Sequence, residues 1–345
     1  MITGITNNLQ PTPPNGGPTS YNLTTMLKLF SGTSNQPLSE QVANGLNQSL
    51  AKVEVVQFEN SEVRVRVEED VKNDTCVIIQ STSNPTNSNL MELFLMADAL
   101  RREEARRVIA MIPYFGYARQ DIQHRPGECV SANVIIRFLE SIGIHKVYTV
   151  NLHDEATEGV FDIPFKNISA FPVLAEEIHK YLQVNNIQAD PEHVAVISPD
   201  QGGIERARKF GEVLFGHSDF NLAVTEKKRD LQHMHESKAL NLYGDVKDKT
   251  AIIVDDVATS GRTLIHAAEF ALEQGATSVI AAIVHRDFAE GTAEKLQNSP
   301  LQAFFTTDTI ALKEEYRFEK MQEVSISKAI ADELKSLPNN TVSQN

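Results

Sequence analysis

Short apolar runs alternate with amphipathic stretches along this chain from about residue 26 onward. The apolar runs predict strands, and the amphipathic stretches predict helices. Strand and helix alternation indicates parallel sheets covered by helices. The predicted strands span residues 26–30, 53–58, 63–67, 75–80, 108–113, 146–151, 193–198, 221–225, 250–255, 278–284 and 303–306. The clearest predicted helices span residues 38–50, 89–104, 131–142 and 171–182, and a further helix begins near residue 264.

Two distant parts of the chain share one order of elements. Residues 75–112 read as strand, polar loop, helix and strand, and residues 250–283 repeat that order. A repeat of this length indicates two copies of one domain, although chance similarity between two such units is the alternative. The first copy has Gln80 and Ser81 where the second has Asp255 and Asp256.

The segment 251–264 (AIIVDDVATSGRTL) is the most informative candidate for a functional site. A buried strand ends in two acids, called here the acid pair, and a Thr/Ser/Gly loop then leads into a helix. Open α/β sheets bind ligands at that edge, and the free N–H groups of a helix N-terminus attract phosphate. The segment therefore predicts a sugar-phosphate site, in which hydroxyls meet Asp255 and Asp256. The alternative is an ordinary strand–helix loop with a capping Thr.

Composition narrows the class of protein. The 345 residues suit two domains, and 41% of them are hydrophobic. A net charge of −14 without a basic block argues against nucleic-acid binding. Two cysteines give no disulfide framework and fit a reducing compartment, so we expect a cytoplasmic protein. No apolar run reaches the length of a membrane span, and we expect no membrane partner.

Several motifs together resemble the ribose-phosphate diphosphokinases (phosphoribosyl-diphosphate synthetases). The acid-pair loop is similar to the phosphoribosyl-diphosphate motif that this family shares with phosphoribosyltransferases. The other motifs are 80–93 (QSTSNPTNSNLMEL), 112–121 (IPYFGYARQD), 151–154 (NLHD) followed by 161–164 (FDIP), and 196–203 (VISPDQGG). The similarity runs in order from about residue 27 to residue 335.

The resemblance implies an α/β fold with two similar phosphoribosyltransferase-like domains, each a mainly parallel sheet flanked by helices. It places the N-terminal, ATP-side domain at 25–168 and the C-terminal, ribose-5-phosphate-side domain at 169–320. Residues 321–337 would add a strand and a helix that pack back on the N-terminal domain. Residues 1–24 and 338–345, polar and poor in apolar side chains, are expected to be disordered tails.

The resemblance also implies an activity. Family members transfer the diphosphoryl group of ATP to the anomeric hydroxyl of ribose 5-phosphate, giving 5-phosphoribosyl 1-diphosphate and AMP, with Mg²⁺ as cofactor. They form dimers and then hexamers, with phosphate and ADP as effectors, so we expect a homo-oligomer. Such a transfer requires positioning and charge neutralisation rather than covalent help from the protein.

Motif by motif, the resemblance assigns roles to residues of this chain. The catalytic assignments are Lys227, His153 and Arg229, and the metal assignments are His153 and Asp200. The ATP-binding assignments are Phe58, Asn60, Glu62, Arg119, Gln120 and Asp121. The ribose-5-phosphate assignments are Arg229, Asp255, Asp256, Thr259, Ser260, Gly261, Arg262 and Thr263.

Residue types alone leave simpler interpretations open. His153 could be an ordinary hydrogen-bonding histidine, since Mg²⁺ prefers oxygen ligands. Asp200 could cap a helix. The basic run at 227–229 could be a solvated loop, and Phe58 could be a core residue.

The chain also departs from the family pattern. Asn151 stands where the family has Asp. In the phosphate loop, Thr259 replaces an acid and Arg262 replaces a small residue. Further changes occur at Ala156, Glu158 and Lys166, and the loop 122–130 keeps Arg125 as its main cation. A divergent synthetase is the simplest hypothesis. A catalytically weak paralogue that regulates an active synthetase, a diphosphokinase for another sugar phosphate and a plain phosphoribosyltransferase are the alternatives.

Overall fold

The structure, a computed structural model, describes residues 23–24, 26–228, 239–337 and 341–342. Its strands are β1 (Leu23–Thr24), β2 (Leu27–Ser31), β3 (Val53–Gln57), β4 (Val63–Val67), β5 (Thr75–Ile79), β6 (Arg107–Ile112), β7 (Lys146–Val150), β8 (Phe165–Ile168), β9 (Val194–Ser198), β10 (Leu222–Lys228), β11 (Ala239–Tyr243), β12 (Thr250–Ala258), β13 (Ser278–Arg286), β14 (Ala303–Thr307), β15 (Met321–Val324) and β16 (Thr341–Val342). Its α-helices are α1 (Gln36–Gly45), α2 (Thr86–Arg102), α3 (Ser131–Ser141), α4 (Phe171–Val184), α5 (Ile204–Phe215), α6 (Arg262–Glu273), α7 (Thr292–Gln297) and α8 (Ser327–Lys335).

The N-terminal half is built on a parallel sheet with strand order β2-β5-β6-β7-β8. Every residue of β5 is buried, as expected of a strand covered on both faces. The hairpin of β3 and β4 forms a separate two-stranded antiparallel sheet that packs on α2.

The C-terminal half has strand order β11-β10-β9-β12-β13-β14-β15. All neighbouring strands are parallel except β10 and β11, which are antiparallel. The predicted α/β class with two mainly parallel sheets is confirmed. The strands β8 and β11 were absent from the predicted set, because their sequences, FKNI and ALNLY, lack a continuous apolar run.

Two neighbouring strands at the centre of the C-terminal sheet, β12 and β13, extend past their predicted ends. β12 runs to Ala258 and β13 to Arg286 because they pair with each other there, with Asp255 opposite Ile283 and Val257 opposite His285. Tertiary pairing thus holds polar residues in a ladder that their own propensity would not favour. As a result, the acid pair lies within the last residues of a strand rather than in a loop.

The two halves are in direct contact. α8 follows a strand of the C-terminal sheet yet packs on α1, where a Cβ on Gly45 would lie 2.9 Å from Ala331 Cβ. Ser325 Oγ donates to Gln41 Oε1 at 2.6 Å in the same contact. The predicted tails lie outside the described residues, apart from β1 and β16, which pair antiparallel. Among the described helices, none is long and apolar enough to span a membrane.

Candidate active site between the two halves

The carboxyl ends of strands from both sheets meet around one cavity of about 530 Å³, called here the main cavity. The loop after β7 contributes His153, the loop after β9 contributes Asp200, and the end of β12 contributes the acid pair. Both halves therefore line the same cavity, at the edge where parallel sheets bind ligands.

Both carboxylates of the acid pair contact Arg206, and Asp256 also contacts His153. Asp256 Oδ2 lies 2.6 Å from His153 Nδ1, which comes from the N-terminal half. Arg206 Nη1 lies 2.5 Å from Asp255 Oδ1 and 3.1 Å from Asp256 Oδ1. The side chain of Asp256 is 5% exposed and that of Asp255 is 18% exposed, so Asp255 faces the cavity more openly.

Arg206 is a site residue that the sequence motifs did not reveal. It is in the first turn of α5, and its Nη2 donates to the carbonyl oxygen of His153 at 3.0 Å. A cation in the first turn of a helix opposes the helix dipole unless acids neutralise it. That placement gives little signal in the sequence, because Glu205 in the same turn already supplies an acid.

Burial and hydrogen bonding separate the pKa values of these groups. Burial and the adjacent Asp256 charge raise the pKa of Asp255, and the ion pair with Arg206 opposes that shift. For Asp256, burial is outweighed by the His153 hydrogen bond and the Arg206 charge, and its pKa is lowered. The hydrogen bond to Asp256 raises the pKa of His153. The site thus favours an ionised Asp256 beside a protonatable imidazole.

The phosphate loop follows directly. Thr259, Ser260, Gly261 and Thr263 line the main cavity, and the Thr259 carbonyl is fixed by Thr292 Oγ1 at 2.8 Å. Gly261 precedes α6 with φ +70°, a conformation that glycine adopts without strain. Among the described residues, no side chain caps α6, so its first N–H groups suit a phosphate.

The equivalent loop in the N-terminal half is used differently. Gln80 and Ser81 are buried; Gln80 Oε1 accepts from Ser34 Oγ at 2.7 Å, and Ser81 Oγ donates to the carbonyl of Thr309 in the other half. Of the two residues that replace the acids, Gln80 therefore stabilises its own half, and Ser81 joins the two halves. The loop beyond them borders a second cavity of about 740 Å³, lined by residues 84–88, Tyr114, Gly116, Tyr117, Arg119, Gln120 and Asp287.

The residues assigned to ATP fall into two groups. Arg119 lines both cavities, Gln120 lines the second and Asp121 lines the main cavity. Phe58, Asn60 and Glu62 lie at the exposed tip of the β3–β4 hairpin and line neither cavity. Phe58 is 45% exposed, so the alternative of a core residue is wrong.

Other assigned residues are placed less centrally. Arg262, the first residue of α6, is exposed and does not line the main cavity. Asp200 accepts from the N–H of Gly203 at 3.0 Å, so it stabilises the turn before α5 as well as lining the cavity. Lys227 belongs to β10, but its side chain lies outside the described part of the structure, as does all of Arg229.

The residues that line the main cavity could supply some of the ligands of a metal ion, and a bound substrate would supply the others. His153 and Asp200 both line it. Within the described ranges, no three His, Cys, Asp or Glu side chains are grouped to hold a metal ion. Mg²⁺ keeps several waters and commonly takes one or two protein oxygens together with substrate phosphates. Such a donor set suits Mg²⁺ that arrives with a nucleotide.

Comparison with known proteins covers both halves. A family model described as the N-terminal domain of ribose phosphate pyrophosphokinase matches residues 27–143. A second model, the phosphoribosyl synthetase-associated domain, matches residues 195–344.

Individual relatives are similar along almost their whole length. A ribose-phosphate pyrophosphokinase from Fusobacterium nucleatum subsp. nucleatum is 35% identical over 314 residues, covering 91% of this chain and 96% of the relative. One from Thermotoga maritima is 38% identical over 306 residues, covering 89% and 93%. The crystal structure of phosphoribosylpyrophosphate synthetase from Mycobacterium smegmatis superposes with a TM-score of 0.82 at 30% identity, covering 90% of this chain and 98% of that one.

Proposed function

Since the chain belongs to the ribose-phosphate pyrophosphokinase family, we propose that its main cavity is the site of diphosphoryl transfer. The group passes from ATP to the anomeric hydroxyl of ribose 5-phosphate and yields 5-phosphoribosyl 1-diphosphate and AMP. The observation that carries this proposal is one shared cavity, in which His153 from one half contacts Asp256 beside the phosphate loop of the other.

The C-terminal half supplies the sugar side. The 5-phosphate is held by the N–H groups and hydroxyls of Thr259, Ser260, Gly261 and Thr263. The ribose hydroxyls donate to Asp255, the more exposed of the two acids. Arg262 contributes charge near the helix N-terminus without lining the cavity.

The N-terminal half supplies the ATP side. Arg119 and Asp121 border the main cavity, and Gln120 is fixed by Ser131 Oγ, which donates to its Oε1 at 2.6 Å. His153 and Asp200 would hold Mg²⁺ together with the ATP phosphates. When bound, the metal would neutralise charge on the phosphate oxygens.

The basic run 227–229, at the end of β10, supplies the remaining positive charge. Lys227 and Arg229 act as a clamp on the transferring group, with Arg229 also touching the sugar phosphate. Such a clamp acts by stabilising charge that develops in the transition state. It also complements the acidic main cavity, in which the described cations are Arg119, Arg206 and Lys209.

The hairpin tip supports an oligomer. Phe58, Asn60 and Glu62 are exposed and line neither cavity of their own subunit. In a homo-oligomer, these residues would reach ATP in a neighbouring subunit. We propose a dimer-based homo-oligomer that extends to a hexamer, with phosphate and ADP as effectors. We place the protein in the cytoplasm, because the free thiols Cys76 and Cys129 suit a reducing environment.

Product analysis tests the activity. The full chain is incubated with ATP, ribose 5-phosphate and Mg²⁺, and phosphorus NMR follows the products. We expect AMP and a diphosphoryl group on the anomeric carbon, with Lys227→Ala as the inactive control. Release of ADP would exclude diphosphoryl transfer.

The same samples separate the regulatory alternative. A regulatory paralogue would show no turnover alone but would alter the turnover of an added, active synthetase chain. Turnover by the isolated chain at a rate abolished by Lys227→Ala would exclude that alternative.

A further inference from the structure

We propose that Arg206 is a positioning residue for the transfer reaction, and the proposal rests on the function proposed above. One guanidinium contacts three groups that must be in register: Asp255, Asp256 and the main chain of His153. Two of these belong to the sugar side and one to the ATP side. Arg206 therefore sets the geometry of one substrate site relative to the other.

The contacts use the shape of the side chain. Nη1 reaches Asp255 Oδ1 at 2.5 Å and Asp256 Oδ1 at 3.1 Å, while Nη2 donates to the His153 carbonyl at 3.0 Å. The guanidinium is planar, with its donors in a fixed fork. If one of the three acceptors moved and the guanidinium followed it, the guanidinium would lose its contacts to the other two.

The charge of Arg206 is as important as its shape. Two adjacent carboxylates repel each other strongly in a partly buried site. The side chain of Arg206 is 14% exposed, so its charge is little screened by water. It allows the acid pair to stay side by side, with Asp256 turned to His153 and Asp255 toward the cavity.

The local backbone provides the space that this placement needs. A Cβ on Gly203, which precedes α5, would lie 2.8 Å from Ser198 Oγ and 3.4 Å from Arg206 Nη1. A side chain there would crowd the guanidinium against the strand end. The glycine thus allows Arg206 to enter the site from the first turn of the helix.

Lysine and arginine at this position should behave differently. Lys keeps the charge but cannot reproduce the fork to three acceptors. We expect Arg206→Lys to keep ribose 5-phosphate affinity within about threefold and to lower kcat about 100-fold, the loss typical of slightly misplaced reacting groups. Arg206→Ala should weaken ribose 5-phosphate binding by a further tenfold or so, because the acids then repel.

Two measurements test the proposal on the intact chain. Calorimetric titration with ribose 5-phosphate reports binding without turnover, and steady-state kinetics separate kcat from KM. Guanidinium ion added to Arg206→Ala should restore part of kcat. Arg208→Lys and Arg208→Ala, on the same helix but outside both cavities, are the matched controls and should resemble the unaltered chain.

The outcomes distinguish this proposal from the function on which it rests. Absence of turnover in the unaltered chain would overturn the proposed function. The calorimetric titration would still compare ribose 5-phosphate binding by the Arg206 variants with binding by the Arg208 variants. Unchanged kcat in Arg206→Lys, or equal losses in the Arg206 and Arg208 variants, would overturn the positioning role. Because Arg206→Lys preserves charge and size, it keeps the test open if Arg206→Ala fails to fold.

Discussion

His153 and Asp256 come from different halves of the chain, and His153 Nδ1 lies 2.6 Å from Asp256 Oδ2. With Nδ1 engaged, Nε2 is the nitrogen left to meet a phosphate or a metal. Asp256 is also the more deeply buried acid, with 5% of its side chain exposed against 18% for Asp255. We therefore propose that the two acids differ in function, with Asp255 meeting the sugar and Asp256 orienting the imidazole.

Exchange of each acid for its amide should separate these functions. Asp255→Asn removes one charge-assisted acceptor, worth about 2 kcal/mol, and should raise KM for ribose 5-phosphate by about tenfold or more. Asp256→Asn should leave that KM nearly unchanged and lower kcat by about 100-fold, because His153 loses its ionised partner. Steady-state kinetics at saturating ATP measure both constants. The same change of KM and kcat in both variants would contradict a division of labour.

Much of the site followed from the sequence because strand ends carry it. The acid pair and the phosphate loop follow one another at the carboxyl end of a single strand, so the sequence predicts them as neighbours at the sheet edge, and both line the main cavity. The contact between His153 and Asp256 was not predictable in this way. It depends on how two separate sheets pack, which periodicity does not report.

Arg206 and the N-terminal loop show the same limit. No motif marks an arginine whose partners lie 49 and 53 residues away in the chain. The sequence shows that Gln80 and Ser81 lack the acids, but the role of Ser81 in joining the halves depends on Thr309, far along the chain. Local patterns specify elements and edges, whereas long-range side-chain partners depend on tertiary packing.

Restoring the acid at Thr259 should increase turnover if the loop has otherwise kept its shape. Thr259 is anchored through its carbonyl, which accepts from Ala289 N–H at 3.1 Å and Thr292 Oγ1 at 2.8 Å, so its side chain can change without moving the loop. We expect Thr259→Asp to raise kcat about tenfold, equivalent to about 1.4 kcal/mol. Thr259→Asn, which has the same shape without the charge, is the control. No gain over Thr259→Asn would mean that the site operates without an acid there.

The two thiols should report closure of the loop 122–130. Cys129 is exposed in this loop, whereas burial raises the pKa of Cys76 to about 12 and keeps it unreactive near pH 8. Cys129 Sγ lies 3.3 Å from Ser131 Oγ, which bonds the ATP-side residue Gln120. A maleimide should therefore label Cys129 alone, and ATP should slow labelling about tenfold if the loop closes over the nucleotide.

Mass spectrometry of timed samples measures the labelling, and Cys129→Ser should abolish the fast reaction. Ribose 5-phosphate alone is the matched ligand control, since its proposed site is in the other half. Equal labelling rates with and without ATP would exclude closure of the loop over ATP.

His285 should make the stability of the fold sensitive to acid. It is buried between the halves, where Nε2 lies 3.0 Å from the Val150 carbonyl and Nδ1 lies 2.8 Å from Thr309 Oγ1. Burial lowers its pKa to about 4, and the opposing effect of the Asp256 charge is smaller. The unfolded chain, with a histidine pKa near 6.5, therefore binds the proton first as the pH falls.

The lower pKa of His285 in the folded state therefore destabilises the folded protein progressively as the pH falls from about 6.5 to about 4. The total loss of unfolding free energy is about 3 kcal/mol, and no further loss comes from His285 below about pH 4. Denaturant titrations across this range should show a shallower loss of unfolding free energy in His285→Gln, which can still donate to Val150 but cannot take up a proton. His266→Gln, at an exposed position on α6, should keep the slope of the unaltered chain. If His285→Gln leaves the slope of unfolding free energy against pH unchanged, His285 is not the source of the acid sensitivity.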